Sequence, residues 1–228
     1  MKTILITGTS RGIGHYLANY YLDRGYKVIG CSRSNSNIDN SNFTGFCLDI
    51  TDEKAVKDMF STVDSLDVLI NNAGIASMNS ALLASTNRVR EITEVNFIAT
   101  FMMCREAVKI MMRQNTPGRI INFSTIAVPL SLHGEAAYAG SKAAVESFTK
   151  VLSKEIAKFN ITANVIGPCA MDTDLLRNVP THKVEKILEL QSISAYAEFD
   201  DVTNVIDFFI DTKSKMITGQ VIYLGGIV

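Results

Sequence analysis

"ITGTSRGIGHYLANYYLDRG", residues Ile6 to Gly25, sets three glycines within seven positions, between an apolar run and a helix-like stretch. Glycine has no Cβ, so the chain can turn sharply there and a ligand can approach the peptide groups themselves. The preceding run, Lys2-Thr3-Ile4-Leu5-Ile6-Thr7, reads as a buried strand. The following stretch reads as a helix with Ile13, Leu17, Tyr20 and Tyr21 on its apolar face and Gly25 as its stop. A strand, a glycine turn and a helix N-terminus together make an anion site, because unpaired N–H groups and the positive end of the helix dipole converge on one spot. The spacing Gly8, Gly12, Gly14 departs from G-x-G-x-x-G, so the context has to decide what the turn holds.

Outward from the turn, strands and helices alternate. Lys27 to Ser32, Thr44 to Leu48, Val68 to Asn71, Arg119 to Phe123, Ile161 to Ile166 and Gln220 to Leu224 read as short apolar strands. Helical patterns span Asp52 to Thr62, Asn87 to Asn115, Ala136 to Phe159 and Asp201 to Asp211. Such alternation predicts right-handed crossovers and a single Rossmann-type α/β domain over residues 1–228, with a doubly wound parallel sheet covered by helices on both faces. Ligands of such sheets sit beyond the carboxyl ends of the strands, which is where the glycine turn falls.

The 228 residues, 47% of them hydrophobic, can bury one large core, and a net charge of −1 offers no basic field for nucleic acid or an anionic membrane. Cys31, Cys47, Cys104 and Cys169 form no C-x-x-C pair, which argues against a zinc site or a disulfide framework and predicts a cytoplasmic protein. Met1-Lys2 leads directly into the first strand, so no signal peptide is expected, and no apolar stretch reaches the roughly 18 residues of a membrane span. His15 and His133 lack a second ligand at metal spacing, and no metal is expected.

Tyr138 and Lys142 are four apart within a predicted helix and so share one face. Bringing a tyrosine from a pKa of about 10 to about 7 takes roughly 4 kcal/mol, and a neighbouring ammonium acts with the right sign. The ordered set Thr7-Gly8-x-x-x-Gly12-Ile13-Gly14, Asp49-Ile50, Asn71-Asn72-Ala73-Gly74, Val95-Asn96-Phe97, Tyr138-x-x-x-Lys142, Asn164-Val165-x-x-Pro168, Thr173 and Ile217-Thr218-Gly219-Gln220 resembles the classical short-chain dehydrogenases/reductases over essentially the full length. The resemblance implies that Tyr138 is the general acid or base at a carbonyl or alcohol, that Lys142 lowers its pKa and binds the nicotinamide ribose, and that Asn96 supports a proton relay. It also implies cofactor contacts from Gly8, Ser10, Arg11, Gly12, Ile13, Gly14, Ser32, Arg33, Asp49, Ile50, Asn72, Ala73, Gly74, Tyr138, Lys142, Pro168 and Thr173.

The family usually carries a serine beside the tyrosine. Counting back twelve intervening residues from Tyr138 reaches Thr125, whereas Ser124 comes one residue earlier. Neighbours in an extended segment point to opposite sides, so only one of the two hydroxyls should face the site. The spacing favours Thr125, with Ser124 the alternative. At the end of the second strand, where NAD-preferring relatives place an acidic residue, the chain reads Cys31-Ser32-Arg33. With Arg11 in the glycine turn, that predicts NADP(H).

The variable segment from Met171 to about Tyr196 corresponds to a substrate lid, with Met171, Leu175, Leu176 and Val179 as pocket walls. Cys169 replaces the glycine usual after Pro168, and Phe159 stands where several 3-oxoacyl reductases have an arginine for an acidic acyl carrier protein, which leaves that partner open. The expected substrate is a small carbonyl or alcohol compound. A weakly catalytic NADP(H)-binding regulator is the alternative, and a methyltransferase would leave Tyr138, Lys142 and Asn96 unexplained. The stretch from Phe97 to Met112 is apolar around most of a helix, which predicts a homodimer or homotetramer.

Overall fold

Every residue of β1 (Thr3–Thr7) is buried, as a strand paired on both edges and covered on both faces must be. In the computed structural model, which describes residues 1–173 and 180–227, β1 pairs with β2 (Lys27–Ser32) on one side and β4 (Val68–Asn71) on the other. With β3 (Phe43–Cys47), β5 (Gly118–Phe123), β6 (Ile161–Gly167) and β7 (Val221–Tyr223) they form an all-parallel sheet ordered β3-β2-β1-β4-β5-β6-β7. The chain winds outward from β1 to β3, then returns across β1 to β4 and winds the other way. That reversal opens a crevice at the carboxyl ends of β1 and β4.

The helices are α1 (Gly12–Asp23), α2 (Glu53–Ser61), α3 (Thr86–Thr93), α4 (Ala99–Gln114), α5 (Ala136–Ile156), α6 (Thr181–Glu189) and α7 (Phe199–Ile210). Strand alternation sends Leu5 to one face and Ile4 and Ile6 to the other. Leu5 joins Leu69 and Ile120 in a core closed by Met59 of α2, Met103 of α4 and Leu152 of α5. Ile4 and Ile6 join Ile70 and Ile121 beneath Leu17 of α1 and Phe209 of α7. A smaller cluster of Ile126, Ala170 and Ile187 lies under α6. Among the described residues, no helix is long and apolar enough to cross a membrane.

Two elements differ from the sequence reading. The helix expected over 87–115 is broken by a π-helical segment, Glu94–Ile98, between α3 and α4. Apolar periodicity does not register the one wide turn, which draws Asn96 fully out of solvent. Helix α6 was not foreseen within the variable segment, because it is short and buries only Val184 and Ile187. Met171, expected as a pocket wall, is packed in the core and borders the cleft, while Leu175, Leu176 and Val179 lie outside the described residues.

Candidate active site

The three glycines of the opening stretch serve two different needs. Gly8 (φ +81°) and Gly12 (φ +58°) take the left-handed conformation that lets β1 turn into α1. Gly14 is needed for closeness: a Cβ there would lie 2.3 Å from the Gly8 carbonyl oxygen and 2.5 Å from Asn72 Nδ2. The turn is stapled to the end of β4, where Asn72 Nδ2 donates to the Thr7 carbonyl (3.0 Å) and the Ala73 N–H to Thr7 Oγ1 (2.9 Å). The crevice above it is a cleft of about 930 Å³. Gly8, Ser10, Arg11, Gly12, Ile13, Ser32, Arg33, Asp49, Ile50, Asn72, Ala73, Gly74, Thr125, Tyr138, Lys142, Pro168 and Thr173 all line it, whereas Gly14 and Asn96 stand behind its wall.

The chemical end is built from β5 and α5, joined rung by rung. Asn122 Nδ2 donates to Thr149 Oγ1 (2.8 Å), Lys142 Nζ donates to the Phe123 carbonyl (2.9 Å) and Ser124 Oγ donates to Glu146, while Thr125 lies near enough to Tyr138 to act on its acidity. Residues 138, 142 and 146 recur every four positions and so share one face of α5. Alternation along the extended chain turns the side chains of Asn122 and Ser124 toward the helix, where they bond Thr149 and Glu146; Ser124 and Thr125 both border the cleft. Glu146 holds Ser124 there and also accepts from Tyr223 of β7 (2.6 Å). The Ser124 hydroxyl is thus committed to Glu146, whereas Thr125 acts on the Tyr138 phenol.

Burial pushes the Tyr138 phenol up to about 12, opposed by the hydrogen bond from Thr125 and reinforced by the charge of Glu135. Burial likewise pushes Lys142 down to about 8. The Lys142 ammonium donates to the Phe123 carbonyl. Asn96 ties the site together from behind. Its Oδ1 accepts from the Ile75 N–H (2.9 Å), while its Nδ2 donates to the Ile75 carbonyl (2.9 Å) and to Ser141 Oγ (3.0 Å). Ser141 Oγ in turn donates to the Tyr138 carbonyl (2.7 Å). The π-helical segment thus fixes the loop after β4 against the first turns of α5.

At the opposite end of the cleft, Arg33 follows β2. The Asp49 carboxyl is held below its ordinary value, mainly by the Thr51 backbone N–H and to a lesser degree by the Arg33 charge. The Ser32 hydroxyl proton is committed to the Ser34 carbonyl (2.6 Å). Sequence reasoning missed Glu135, Arg88 and Met78, which line the cleft, and Glu146 beneath it. Glu146 alone had a legible signal, its four-residue spacing from Lys142.

A model of the short chain dehydrogenase family matches residues 2–184. The chain belongs to that family. Short-chain dehydrogenases are oxidoreductases of carbonyl and alcohol groups that use a nicotinamide cofactor. The chain is similar to the 3-oxoacyl-[acyl-carrier-protein] reductase of Rickettsia felis, with 34% identity over 232 residues covering 99% of this chain and 95% of the relative. It is 28% identical to the reductase of that name from Escherichia coli over 235 residues, covering 99% and 96%. Among solved structures, 4-hydroxyisoleucine dehydrogenase complexed with NADH superposes with a TM-score of 0.93 at 27% identity, covering 100% of this chain and 99% of the other. A short chain dehydrogenase from Leptospira borgpetersenii with bound NAD+ gives 0.90 at 25% identity, covering 99% and 92%.

The residues present fit the dinucleotide of a short-chain dehydrogenase. A Cβ on Gly12 would meet no atom within 4 Å, so the turn leaves open space over the N-terminus of α1 for a pyrophosphate. A Cβ on Gly74 would lie 3.2 Å from Asn96 Oδ1 and 3.4 Å from Lys142 Nζ, so that glycine keeps the loop close to the lysine.

Proposed function

We propose that the protein is an NADP(H)-dependent ketoreductase in which Tyr138 exchanges a proton with the oxygen of a small carbonyl or alcohol substrate. The observation that carries this reading is that Thr125, Tyr138 and Lys142 line one cleft, with Lys142 Nζ anchored on the Phe123 carbonyl beside them. A nicotinamide supplies or takes the hydride when bound. Tyr138, protonated at neutral pH, is in the form a reductase needs, and Thr125 supplies a second donor to the developing alkoxide. Its methyl group narrows the pocket relative to serine. Lys142 contributes positive charge near the ribose, and Asn96 acts from behind by holding Ile75 and Ser141. Gly8, Ser10, Arg11, Gly12, Ile13 and Gly14 form the pyrophosphate turn. Asp49, Ile50, Asn72, Ala73, Gly74, Pro168 and Thr173 line the remaining cofactor path, and Ser32 and Arg33 meet the adenosine ribose together with Arg11.

The segment from 171 to 196 serves as the substrate lid of a single domain. Curated relatives are named as reductases of carrier-bound 3-oxoacyl groups, which makes 3-oxoacyl thioesters fair test substrates. At the position of the carrier-binding arginine, Phe159 packs against the core. Four free thiols suit a reducing cytoplasm. Purified protein given NADPH with simple ketones and 3-oxoacyl thioesters should oxidise the cofactor. Cofactor binding without turnover across the panel would defeat the reading.

Ser124→Ala removes a hydrogen bond to a buried carboxylate, so stability in urea should fall by about 1.5–3 kcal/mol while turnover stays close to wild type. Thr125→Ala should instead lower turnover, and Thr125→Ser should retain it. The reverse pattern would reassign the hydroxyl to Ser124.

The protein works as a homodimer or homotetramer. Met102, Met103 and Met111 fill the intramolecular core, but Phe101 (41% exposed), Met112 (41%) and Val151 (54%) leave an apolar strip along α4 and α5. Phe148 of α5 packs its ring 5.2 Å from that of Phe101. Covering this strip is the gain expected from an isologous pairing. Light scattering should give two or four times the 25.0 kDa chain mass, and a monodisperse species at the chain mass would refute the assembly.

A further inference from the structure

Glu135 immediately precedes α5, three residues before Tyr138, and lines the same cleft. It is only 7% exposed, and among the described residues its Oε2 has no hydrogen-bond partner. A buried carboxyl oxygen without a partner costs free energy and is seldom kept for packing alone. The nearby cations do not supply the missing bond. Lys183 Nζ on α6 contacts Met78 Sδ (3.5 Å), and Arg88 is engaged with Glu91 (2.7 Å) and the Ala76 carbonyl (2.9 Å). Glu135 nevertheless acts on the chemical end, since its charge is felt by the Tyr138 phenol.

We propose that Glu135 is a specificity-determining residue that selects substrates carrying an ammonium group a short distance from the reacting alcohol or carbonyl carbon. The proposal rests on the ketoreductase reading for the position of the reacting carbon. Residues three apart at a helix start have Cβ atoms about 5–6 Å apart, so a small amino alcohol or amino ketone can reach both groups. The ammonium brings the donor that Oε2 lacks. The terminal torsion of a glutamate is broad and two-fold, so a half-turn of the carboxyl group can bring either oxygen, one at a time, to the ligand. A neutral substrate of the same shape leaves the carboxyl unpaired, whereas an ammonium favours the ionised form of a group that burial raises to about 7. The selection is the polar kind, in which the wrong ligand strands a buried group.

The test uses a graded series of terminal amino secondary alcohols, each paired with the isostere in which methyl replaces ammonium. Their affinity for the protein saturated with oxidised dinucleotide is read by calorimetry, and their turnover by cofactor absorbance. Wild type should bind the best-fitting amino alcohol about tenfold or more tightly than its isostere, the worth of one charge-assisted hydrogen bond. Glu135→Gln, which keeps the shape and removes the charge, should bring that ratio to near unity. Equal affinities within every pair for the wild-type protein overturn the inference whether or not the variant folds, and so does a ratio that Glu135→Gln leaves intact. Turnover of neutral alcohols without amine preference upholds the ketoreductase reading alone. Amine-selective binding without turnover upholds the role of Glu135 and defeats that reading.

Discussion

Tyr138→Phe should lower turnover by about a hundred- to ten-thousandfold, the range usual for loss of a positioned acid or base. The substitution removes one oxygen and leaves the ring, so the wall of the cleft keeps its shape. Dinucleotide affinity, measured by fluorescence titration, should stay near wild type, because the glycine turn and the loop after β4 are untouched. The loss should fall on kcat and on kcat/KM alike, as for an interaction made in the transition state rather than on binding. Thr125 acts on the same hydroxyl, so Thr125→Ala combined with Tyr138→Phe should cost little more than Tyr138→Phe alone. Comparable rates for wild type and Tyr138→Phe would remove this residue from the chemistry.

NADPH should bind at least tens-fold more tightly than NADH, and Arg11→Ala with Arg33→Ala should abolish the difference while leaving NADH affinity nearly unchanged. A hydrogen bond between a guanidinium and a phosphate is worth about 1.5–3 kcal/mol, or about ten- to a hundredfold. Both arginines are exposed, and solvent reduces the gain from each. The Asp49 carboxylate, within reach of the Arg33 charge, reduces it further. Raising the salt concentration should therefore narrow the preference. The solved relatives that hold NADH or NAD+ make this a stringent comparison. Equal affinity for the two cofactors in the wild type would refute the assignment.

How far the molecule could be read from its sequence depended on which forces leave a periodic trace. The buried parallel strands are short β-branched runs with no alternation, and the glycine turn after the first of them locates the crevice, so the doubly wound sheet was legible. Strand alternation likewise meant that one of Ser124 and Thr125 must turn away, and Ser124 does so toward Glu146. The π-helical segment around Asn96 left no such trace, since one wide turn shifts the apolar pattern less than a helix boundary does. Glu135, just before α5, was missed because a carboxylate at a helix start looks the same whether solvent or a cleft receives it, and Glu146 was missed although its four-residue spacing from Lys142 put it on the same face. The choice between NADP(H) and NAD(H) was read from side-chain charge alone, and charge at an exposed site is the weakest guide to affinity.

The rungs between β5 and α5 join residues only 19, 22 and 27 positions apart, whereas the bonds stapling β1 to the loop after β4 span 65 and 66. Closing the shorter loops costs less entropy, and contacts of low sequence separation form sooner. The two ends of the cleft therefore have different folding histories. In pulse-labelled refolding, amides of β5 and α5 should gain protection from exchange while those around Gly8 and Ala73 still exchange freely. The proton-handling end would then take shape as a local unit, and the dinucleotide would meet a completed cradle only after the chain had closed across the sheet.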